Sequence, residues 1–338
     1  MSYFAGCDLH SNNTVIGILD EEGKRIYKKR VPNDLDQILN HLKPFKNEMK
    51  GVVVESTFNW YWLVDGLKDA DYKLHLANPA AIKQYEGLKH TDDYHDAYYL
   101  AELLRLGILK EGYIYPKKER AIRDLLRKRL MLVRNRTAHI LSFGSLYYRQ
   151  KGSKLSSSDI KKLKEENVEC LFEDPHVILA GQANVAVINF LGPKIKEIER
   201  IVLNTMHLQP EFKKLTTVNG IGKILALTIA LETGEITRFP KVGNYASYCR
   251  CVSSQRLSNE KKKGHNNRKN GNKYLSWAFL EAANFAKRYY PSARNFYQRK
   301  LAKTNKILAT KALAHKLARA SFYLIRDKVD FKPEMLFG

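Results

Sequence analysis

Short apolar runs near the start of the chain predict β-strands, and the polar segments between the first three predict turns. These three runs are typical of an antiparallel meander, whereas the fourth is continuous and β-branched, as in a buried strand. Stretches with helical spacing lie between the later runs. The expected strands are Tyr3–Leu9, Thr14–Asp20, Arg25–Val31, Gly51–Glu55 and Tyr72–Leu76, and the expected helices are Leu35–Leu42 and Thr57–Leu67. Residues 1–115 are therefore predicted to form a mixed α/β domain with a largely parallel second half.

The pattern changes after Pro116 to long, charged helices. Glu119–Tyr148 is nearly free of Gly and Pro, and the apolar residues from Ile188 to Val202 step by three and four. This stepping suits a coiled-coil or hairpin seam, although Gly192-Pro193 is expected to interrupt it. Residues 116–210 are predicted to form a helical coiled-coil arm, which would suit dimerisation.

Residues 211–338 are predicted to be mainly helical, with a helix-hairpin-helix element near their start. The segment Val218–Lys223 contains a Gly-Ile-Gly turn before an apolar helix, and backbone N–H groups at such a helix start favour a phosphate. A plain tight turn between packed helices is the alternative. Further on, Arg250–Leu275 holds eight cations and one acid among Asn, Ser and Gly residues, which predicts a flexible basic loop that meets phosphates.

Charge is divided unevenly along the 338 residues. Residues 1–115 carry a net charge of −3 and residues 116–338 a net charge of +26, which together give the chain its formal +23. An excess of this size favours a nucleic acid or another polyanion as the partner, over the alternative of a generically basic protein.

Composition narrows the class of protein further. A hydrophobic content of 44% excludes wholesale disorder, the apolar runs are too short to cross a bilayer, and the start shows no signal-peptide core. The four cysteines have neither the paired spacing of zinc sites nor the density of a disulfide scaffold. We therefore expect a protein of the cytoplasm with reduced thiols and no membrane partner.

Carboxylates stand at the ends of predicted elements in the acidic part of the chain. Asp8 closes the first strand, Glu55 closes the buried strand, and Asp93 and Asp96 share one face at the start of a helix. Acids brought together repel one another and persist around divalent cations, so these four predict a site for Mg²⁺ or Mn²⁺ suited to phosphodiester displacement. Taken singly, each acid would pass for a helix cap or a surface charge.

Two choices stay open around this site. Asp92 is an alternative ligand to Asp93, since the two are adjacent. His10 and His95 are either neighbours of the site or exposed side chains.

Three serines, Ser253, Ser254 and Ser258, lie near Arg256 in the basic loop. A serine attacks phosphorus when cations stabilise its alkoxide or a base takes its proton. Residue chemistry alone does not separate the three, and loop solubility is the alternative explanation for them.

Cations and hairpin glycines outside the acidic domain are the expected contacts to nucleic acid. They are Arg120, Arg123, Arg127 and Arg134 on the long helix, Gly220, Gly222 and Lys223 at the hairpin, and Arg256, Lys261, Lys262, Lys263, Arg268 and Lys269 in the basic loop.

Several motifs, in this order, give the chain a family resemblance. They are Gly6-Cys-Asp8-Leu-His10, Val53-Val-Glu55-Ser-Thr-Phe58-Asn-Trp-Tyr-Trp62, His90-Thr-Asp-Asp93-Tyr-His-Asp96-Ala97, Leu215-Thr-Thr-Val-Asn-Gly-Ile-Gly222, Thr237-Arg-Phe239, Ser253-Ser-Gln-Arg-Leu-Ser258-Asn259 and Asn270-Gly-Asn-Lys-Tyr-Leu275. Together they resemble the DEDD-type insertion-sequence transposases related to the Piv invertase, over nearly the whole chain.

The resemblance implies a fold and an activity. It implies an RNase H-like, RuvC-type domain over 1–115, a helical coiled-coil arm over 116–210, and a mainly α transposase domain over 211–338. In such a protein Asp8, Glu55, Asp93 and Asp96 would hold Mg²⁺ (or Mn²⁺), and Ser258 would be the nucleophile.

The resemblance also implies partners. They are donor and target DNA, a structured non-coding bridge RNA that pairs with both, and further copies of the chain in dimers that form tetramers. Each active site would combine the metal domain of one subunit with the serine domain of another. A prokaryotic cytoplasm with association to the nucleoid follows as the expected location.

Two departures from the family pattern are visible. Phe58 stands where Gly is commonest, which is expected to change only a turn, and the doubled Asp92-Asp93 leaves the third ligand open. A metal-dependent junction nuclease that ignores the serine is the alternative among enzymes. A non-catalytic RNA- or DNA-binding protein is the alternative outside them.

Overall fold

A computed structural model describes residues 1–82, 92–206, 210–252, 256–258, 261–264 and 270–337. Over these ranges the chain forms two compact units, the first built mainly from Met1–Lys117 and the second from Lys118–Gly264 and Gly271–Gly338. The strands are β1 (Tyr3–Leu9), β2 (Asn13–Leu19), β3 (Arg25–Pro32), β4 (Met49–Glu55), β5 (Leu74–Ala77), β6 (Arg256–Ser258) and β7 (Lys261–Gly264).

Helices make up most of the remaining described residues. They are α1 (Leu35–Leu42), α2 (Tyr61–Asp69), α3 (Asp93–Arg105), α4 (Lys117–Lys151), α5 (Ser157–Ile160), α6 (Glu165–Glu169), α7 (Pro175–Met206), α8 (Pro210–Leu215), α9 (Lys223–Thr233), α10 (Val242–Tyr248), α11 (Lys273–Tyr289), α12 (Pro291–Leu301), α13 (Lys306–Asp327) and α14 (Pro333–Phe337), with 3-10 turns at Lys43–Glu48 and Ile236–Arg238. In the part of the chain that the structure describes, no helix combines the length and apolar character that a bilayer crossing requires.

The first unit is built on a five-stranded sheet in the order β3-β2-β1-β4-β5. Strands β1, β2 and β3 pair antiparallel, whereas β4 pairs parallel with both β1 and β5. The predicted meander and the predicted parallel second half are both confirmed. This order sets the ends of β1 and β4 side by side.

Strand alternation gives this sheet two different faces. Cys7 and Ile16 point to the side where α1 and α2 complete an apolar core. The opposite face carries α3, which approaches so closely that a Cβ on Gly6 would overlap the carbonyl oxygen of Ala97. Because Asp8 alternates with Cys7, it lies on the α3 face.

The second unit contains a long pair of helices, α4 and α7, that run in opposite directions. Arg129 pairs with Glu199, and His139 Nδ1 lies 3.1 Å from Asn184 Oδ1. The predicted interruption at Gly192-Pro193 is wrong, because α7 continues through Pro193 as one helix from Pro175 to Met206.

The remainder of the second unit is a helical domain around one apolar core. The almost wholly buried helix α9 packs against α11, and α11 packs against α13. A flexible loop was expected over Arg250–Leu275. In the described residues of this segment, β6 and β7 instead form an antiparallel pair. The sequence of that segment gave no strand signal because its residues are polar and cationic.

Candidate functional site

Two carboxylates stand together at one edge of the sheet in the first unit. The parallel register pairs Gly6 with Val53 and Cys7 with Val54, so that Asp8 and Glu55 follow at the ends of neighbouring strands. The two side chains hydrogen bond to each other, and Asp8 is buried, with 4% of its surface exposed. A hydrogen bond between two carboxyl groups requires that one of them carries a proton.

The start of helix α3 supplies the remaining acids. Asp92 is the N-cap of this helix, and its Oδ1 accepts a hydrogen bond of 2.7 Å from the backbone N–H of His95. The Asp92 carboxylate is therefore used to cap the helix. Asp93 instead contacts His10 and Arg30. Asp96 lies close enough to Asp8 and Glu55 to interact with both carboxyl groups electrostatically.

His10 bridges the strand end and the helix start. Its Nε2 lies 3.2 Å from Asp8 Oδ2 and 3.5 Å from Asp93 Oδ2. Its backbone oxygen accepts hydrogen bonds of 3.0 Å from the side-chain amides of Asn33 and Asn59, which fix the turn that carries it. Of the two roles open to His10, the structure supports that of a site neighbour. His95 instead stacks on Tyr99.

Electrostatics at this site reflect crowded negative charge. Burial, and then the neighbouring Asp8 carboxylate, raise the pKa of Glu55 to about 7. Burial also raises the pKa of Asp8, and burial together with the charge of Asp8 raises that of Asp96. The hydrogen bond from Arg30 lowers the pKa of Asp93. The raised pKa values show that negative charge is disfavoured at Glu55, Asp8 and Asp96, and the lowered pKa of Asp93 shows that a neighbouring cation favours it. Added positive charge would therefore stabilise the cluster.

The residues present fit a divalent cation. One ligand atom each from Asp8, His10 and Asp93 lies within 4.8 Å of the other two, which is a spacing that a single ion can span. Carboxylate oxygens suit Mg²⁺, and a set that adds an imidazole nitrogen also suits Mn²⁺. Glu55 and Asp96 lie near this group, since each interacts electrostatically with Asp8. His10, whose role the sequence left open, belongs to the group together with Asp8 and Asp93.

Phe58 follows Glu55 in the loop after β4 and is 85% exposed. On either side of it, Thr57 Oγ1 donates to Asn59 Oδ1, and Asn59 in turn holds the His10 turn. The loop is therefore tied to the site by its polar residues, while Phe58 faces solvent.

The hairpin between α8 and α9 has two glycines, Gly220 and Gly222, whose surroundings differ. Gly220 has a φ of 127°, and a Cβ there would lie 2.9 Å from the backbone nitrogen of Ala286 in α11. Gly222 is the N-cap of α9 and has open space where a Cβ would be. Lys223 beside it is exposed. Gly220 thus shapes the turn, and Gly222 and Lys223 form its accessible end.

The four arginines of α4 that were expected to contact nucleic acid differ in their exposure to solvent. Arg120 and Arg123, which were expected to contact nucleic acid, are each only 4% exposed. Arg127 donates to Glu232 of α9, with Nη2 2.7 Å from Oε2, and its guanidinium lies 4.4 Å from the ring centroid of Tyr274. Arg134 is exposed.

The β6–β7 hairpin carries Ser258. In its register Ser258 faces Lys261, and Leu257 faces Lys262. The backbone of Arg256 belongs to β6, and Lys261 and Lys263 are exposed. Ser253, Ser254, Arg268 and Lys269 lie outside the described residues. Ser258 is therefore the serine of the three for which the structure gives a strand position and a cationic neighbour.

Comparison with known families covers both units. Residues 5–146 match the family model of DEDD transposases of the IS110 type, and residues 212–298 match the model described as the transposase IS116/IS110/IS902 family. The first match spans the carboxylate cluster, and the second spans the hairpin and Ser258. A search of curated proteins gives no match.

Proposed function

Since the chain belongs to the IS110 family of transposases, we propose that it cleaves and exchanges the DNA strands of its insertion sequence at the carboxylate cluster of its first unit. The chain is a DNA transposase, an enzyme of recombination. The observation that carries the proposal is the convergence of Asp8, Glu55, Asp93 and Asp96 with His10 at one end of the sheet.

These side chains would hold one or two Mg²⁺ or Mn²⁺ ions. A bound ion of this kind neutralises charge that develops on a phosphodiester and orients its oxygens. The chain's own contribution is to position the ligands. The Asp8 and Glu55 carboxylates are fixed by paired strands, Asp93 and Asp96 by one turn of helix, and His10 by the amides of Asn33 and Asn59.

We assign the nucleophile to Ser258. Its hydroxyl oxygen would attack a phosphorus of the DNA backbone, a new P–O bond would form to serine, and the bond to one deoxyribose oxygen would break. The serine gives up its proton, and the departing deoxyribose oxygen takes one. Lys261, opposite Ser258 in the hairpin, and its exposed neighbour Lys263 support the charge that develops.

The proposal extends to partners. We expect a structured bridge RNA to guide the enzyme to donor and target DNA, and we expect dimers that pair into tetramers. The net charge of +26 on residues 116–338 supports a large polyanionic partner, and the exposed Arg134 and Lys223 are available contacts.

Trapping of the covalent intermediate tests the proposed chemistry. We expect the wild-type chain, incubated with Mg²⁺, its RNA and DNA from the element's ends, to give a protein–DNA adduct that survives denaturation. Ser258→Ala should bind DNA and give no adduct, whereas Ser253→Ala and Ser254→Ala should give one. Adduct formation by Ser258→Ala would overturn the assignment of the nucleophile.

Copurification tests the RNA partner separately. Protein expressed together with the non-coding DNA that flanks its gene should carry one discrete RNA species. Strand exchange that proceeds equally well after complete removal of RNA would contradict guidance.

A further inference from the structure

Cations line the outer strand of the first unit, although that part of the chain has a negative net charge. Strand β3 is the edge strand of the sheet on the side of β2, and Arg25, Lys28 and Arg30 are all exposed along it. The register pairs Arg30 with Val15, and Val15 with Asp8. Arg30 therefore stands on the same face as Asp8, two strands away.

Helix α3 lies beside these cations on that face. A Cβ on Gly17, which Lys28 faces across the strands, would lie 3.0 Å from Tyr98 of α3. The Lys28 ammonium lies 5.0 Å from the ring centroid of Tyr94, and the Arg25 guanidinium lies 4.6 Å from that of Tyr98. Both distances are typical of cation–π contacts, which hold a cation in place without neutralising it.

Arg30 joins this line of cations to the carboxylate cluster. Its Nη1 donates to Asn13 Oδ1 at 3.0 Å, and its Nη2 pairs with Asp93. Its guanidinium also lies 5.9 Å from the Tyr94 ring, the ring that Lys28 faces. Lys28 and Arg30 are two residues apart, about 7 Å along a strand, so they present two positive charges in a row that ends at the cluster.

We infer that Lys28, Arg30 and Tyr94 form a track that binds the backbone of the DNA strand being cut and leads it to the carboxylate cluster. The inference rests on the proposed function, because it takes the strand's destination from it. Charge complementarity gives the occupant: two exposed cations beside an aromatic ring suit the phosphates and a base of a single strand. The acidic cluster alone would repel that strand, and the track offsets the repulsion.

Edge protection is the other reason for lysine on an outer strand, since charged residues discourage pairing with a further strand. Lys29 separates the two roles. It is as exposed as its neighbours, but it alternates with them and lies on the face of Tyr27 and Val31, which pack against the α1 and α2 core. Edge protection would involve Lys28 and Lys29 alike, whereas DNA binding on the α3 face requires Lys28.

Site-directed crosslinking of the full chain tests the track directly. Cys170 is exposed while Cys7, Cys249 and Cys251 are buried, so a Cys170→Ser background leaves one accessible thiol after either Lys28→Cys or Lys29→Cys. Each variant would carry a thiol-linked photo-crosslinker and be mixed, in EDTA, with single-stranded DNA or with RNA of the same sequence. We expect a strong DNA crosslink from position 28 and loss of most of that yield when the crosslinker stands at position 29.

Equal yields from the two positions, no crosslink at position 28, or a clear preference for RNA would each overturn the inference. A second readout is the salt dependence of DNA affinity. The combined Lys28→Ala and Arg30→Ala variant should lower the slope of log affinity against log salt by about 0.7 for each lost contact, and Lys29→Ala should leave it unchanged. An unaltered slope in the double variant would count equally against the track.

Both readouts are independent of cleavage. If Asp8→Asn cuts DNA normally while position 28 crosslinks to DNA, the proposed function fails and the strand's destination fails with it, whereas DNA binding along Lys28 and Arg30 stands. If Asp8→Asn is inactive and position 28 does not crosslink, the track alone fails.

Discussion

Asp93, at the start of helix α3, pairs with Arg30 of the outer strand β3, which lies 63 residues earlier in the chain. This pairing turns the Asp93 carboxylate toward His10 and Asp8, while Asp92 next to it caps the helix. The doubled acid in the sequence therefore has two separate roles, one at the site and one in the helix.

These roles predict opposite effects of two neighbouring substitutions. Asp92→Ala should lower the free energy of unfolding by about 1 kcal/mol, because the backbone N–H of His95 loses its cap, and should retain DNA cleavage. Asp93→Asn should keep most of the stability and lose about 100-fold or more in cleavage rate, because a ligand to the ion is weakened. Urea unfolding and cleavage assays on both variants check this. The reverse pattern would make Asp92 the ligand.

The crowded acids predict an unusual pH dependence of stability. Burial and Asp8 raise the pKa of Glu55 to about 7 in the folded chain, against roughly 4.3 when unfolded. Between these values the folded state binds more protons, so the metal-free protein should lose stability as pH rises from about 4 to about 7. Melting curves in EDTA should show this fall, and Glu55→Gln should reduce it. A Glu55→Gln chain with the wild-type pH profile would contradict the crowding of charge.

The hairpin glycines form a matched pair for a test of folding against binding. Gly220→Ala should lower the free energy of unfolding by about 2 kcal/mol, since the added Cβ meets the backbone of Ala286 and φ is positive. Gly222→Ala should cost only a few tenths to about 1 kcal/mol, because its Cβ enters open space. Chemical denaturation of the two variants measures the difference, and equal losses would contradict the close approach of this turn to α11.

A buried polar network in the second unit predicts a large loss of stability. Glu232 is 1% exposed and accepts hydrogen bonds from Arg127 and from Asn272, so it links α4, α9 and the start of α11. Glu232→Ala should cost about 3–5 kcal/mol, because the Arg127 guanidinium is left without its carboxylate. The exposed Glu173 is the control, and Glu173→Ala should change stability by no more than about 0.5 kcal/mol. Similar melting temperatures for the two variants would show the network to be unimportant.

The strands and the strand-end acids could be predicted from the sequence for a physical reason. Alternating and continuous apolar runs are local signals, and parallel neighbours end at the same edge, which brings Asp8 to Glu55. The start of α3 was equally visible, because acids in a first turn suit the helix dipole.

Other parts of the site depend on contacts that no local pattern reveals. The ion pair between Arg30 and Asp93 joins the exposed strand β3 to a helix far along the chain. The sequence of β3 is that of an ordinary polar edge strand, so it does not indicate this contact. Arg120 and Arg123 belong to a helix with cations all around, so only the packing of the second unit shows that they are buried. Likewise, Pro193 signals an interruption, yet α7 continues through it.

Cleavage of DNA by an Asp8 variant, with and without metal, tests whether the carboxylate cluster is the site at which DNA is cut. DNA from the ends of the insertion sequence, with its RNA, would be incubated with wild-type chain, Asp8→Asn, or Asp36→Asn, which alters an exposed acid of α1. We expect cleavage by the wild type and Asp36→Asn with Mg²⁺, none in EDTA, and none by a correctly folded Asp8→Asn chain. Cleavage by Asp8→Asn at the wild-type rate would contradict this expectation.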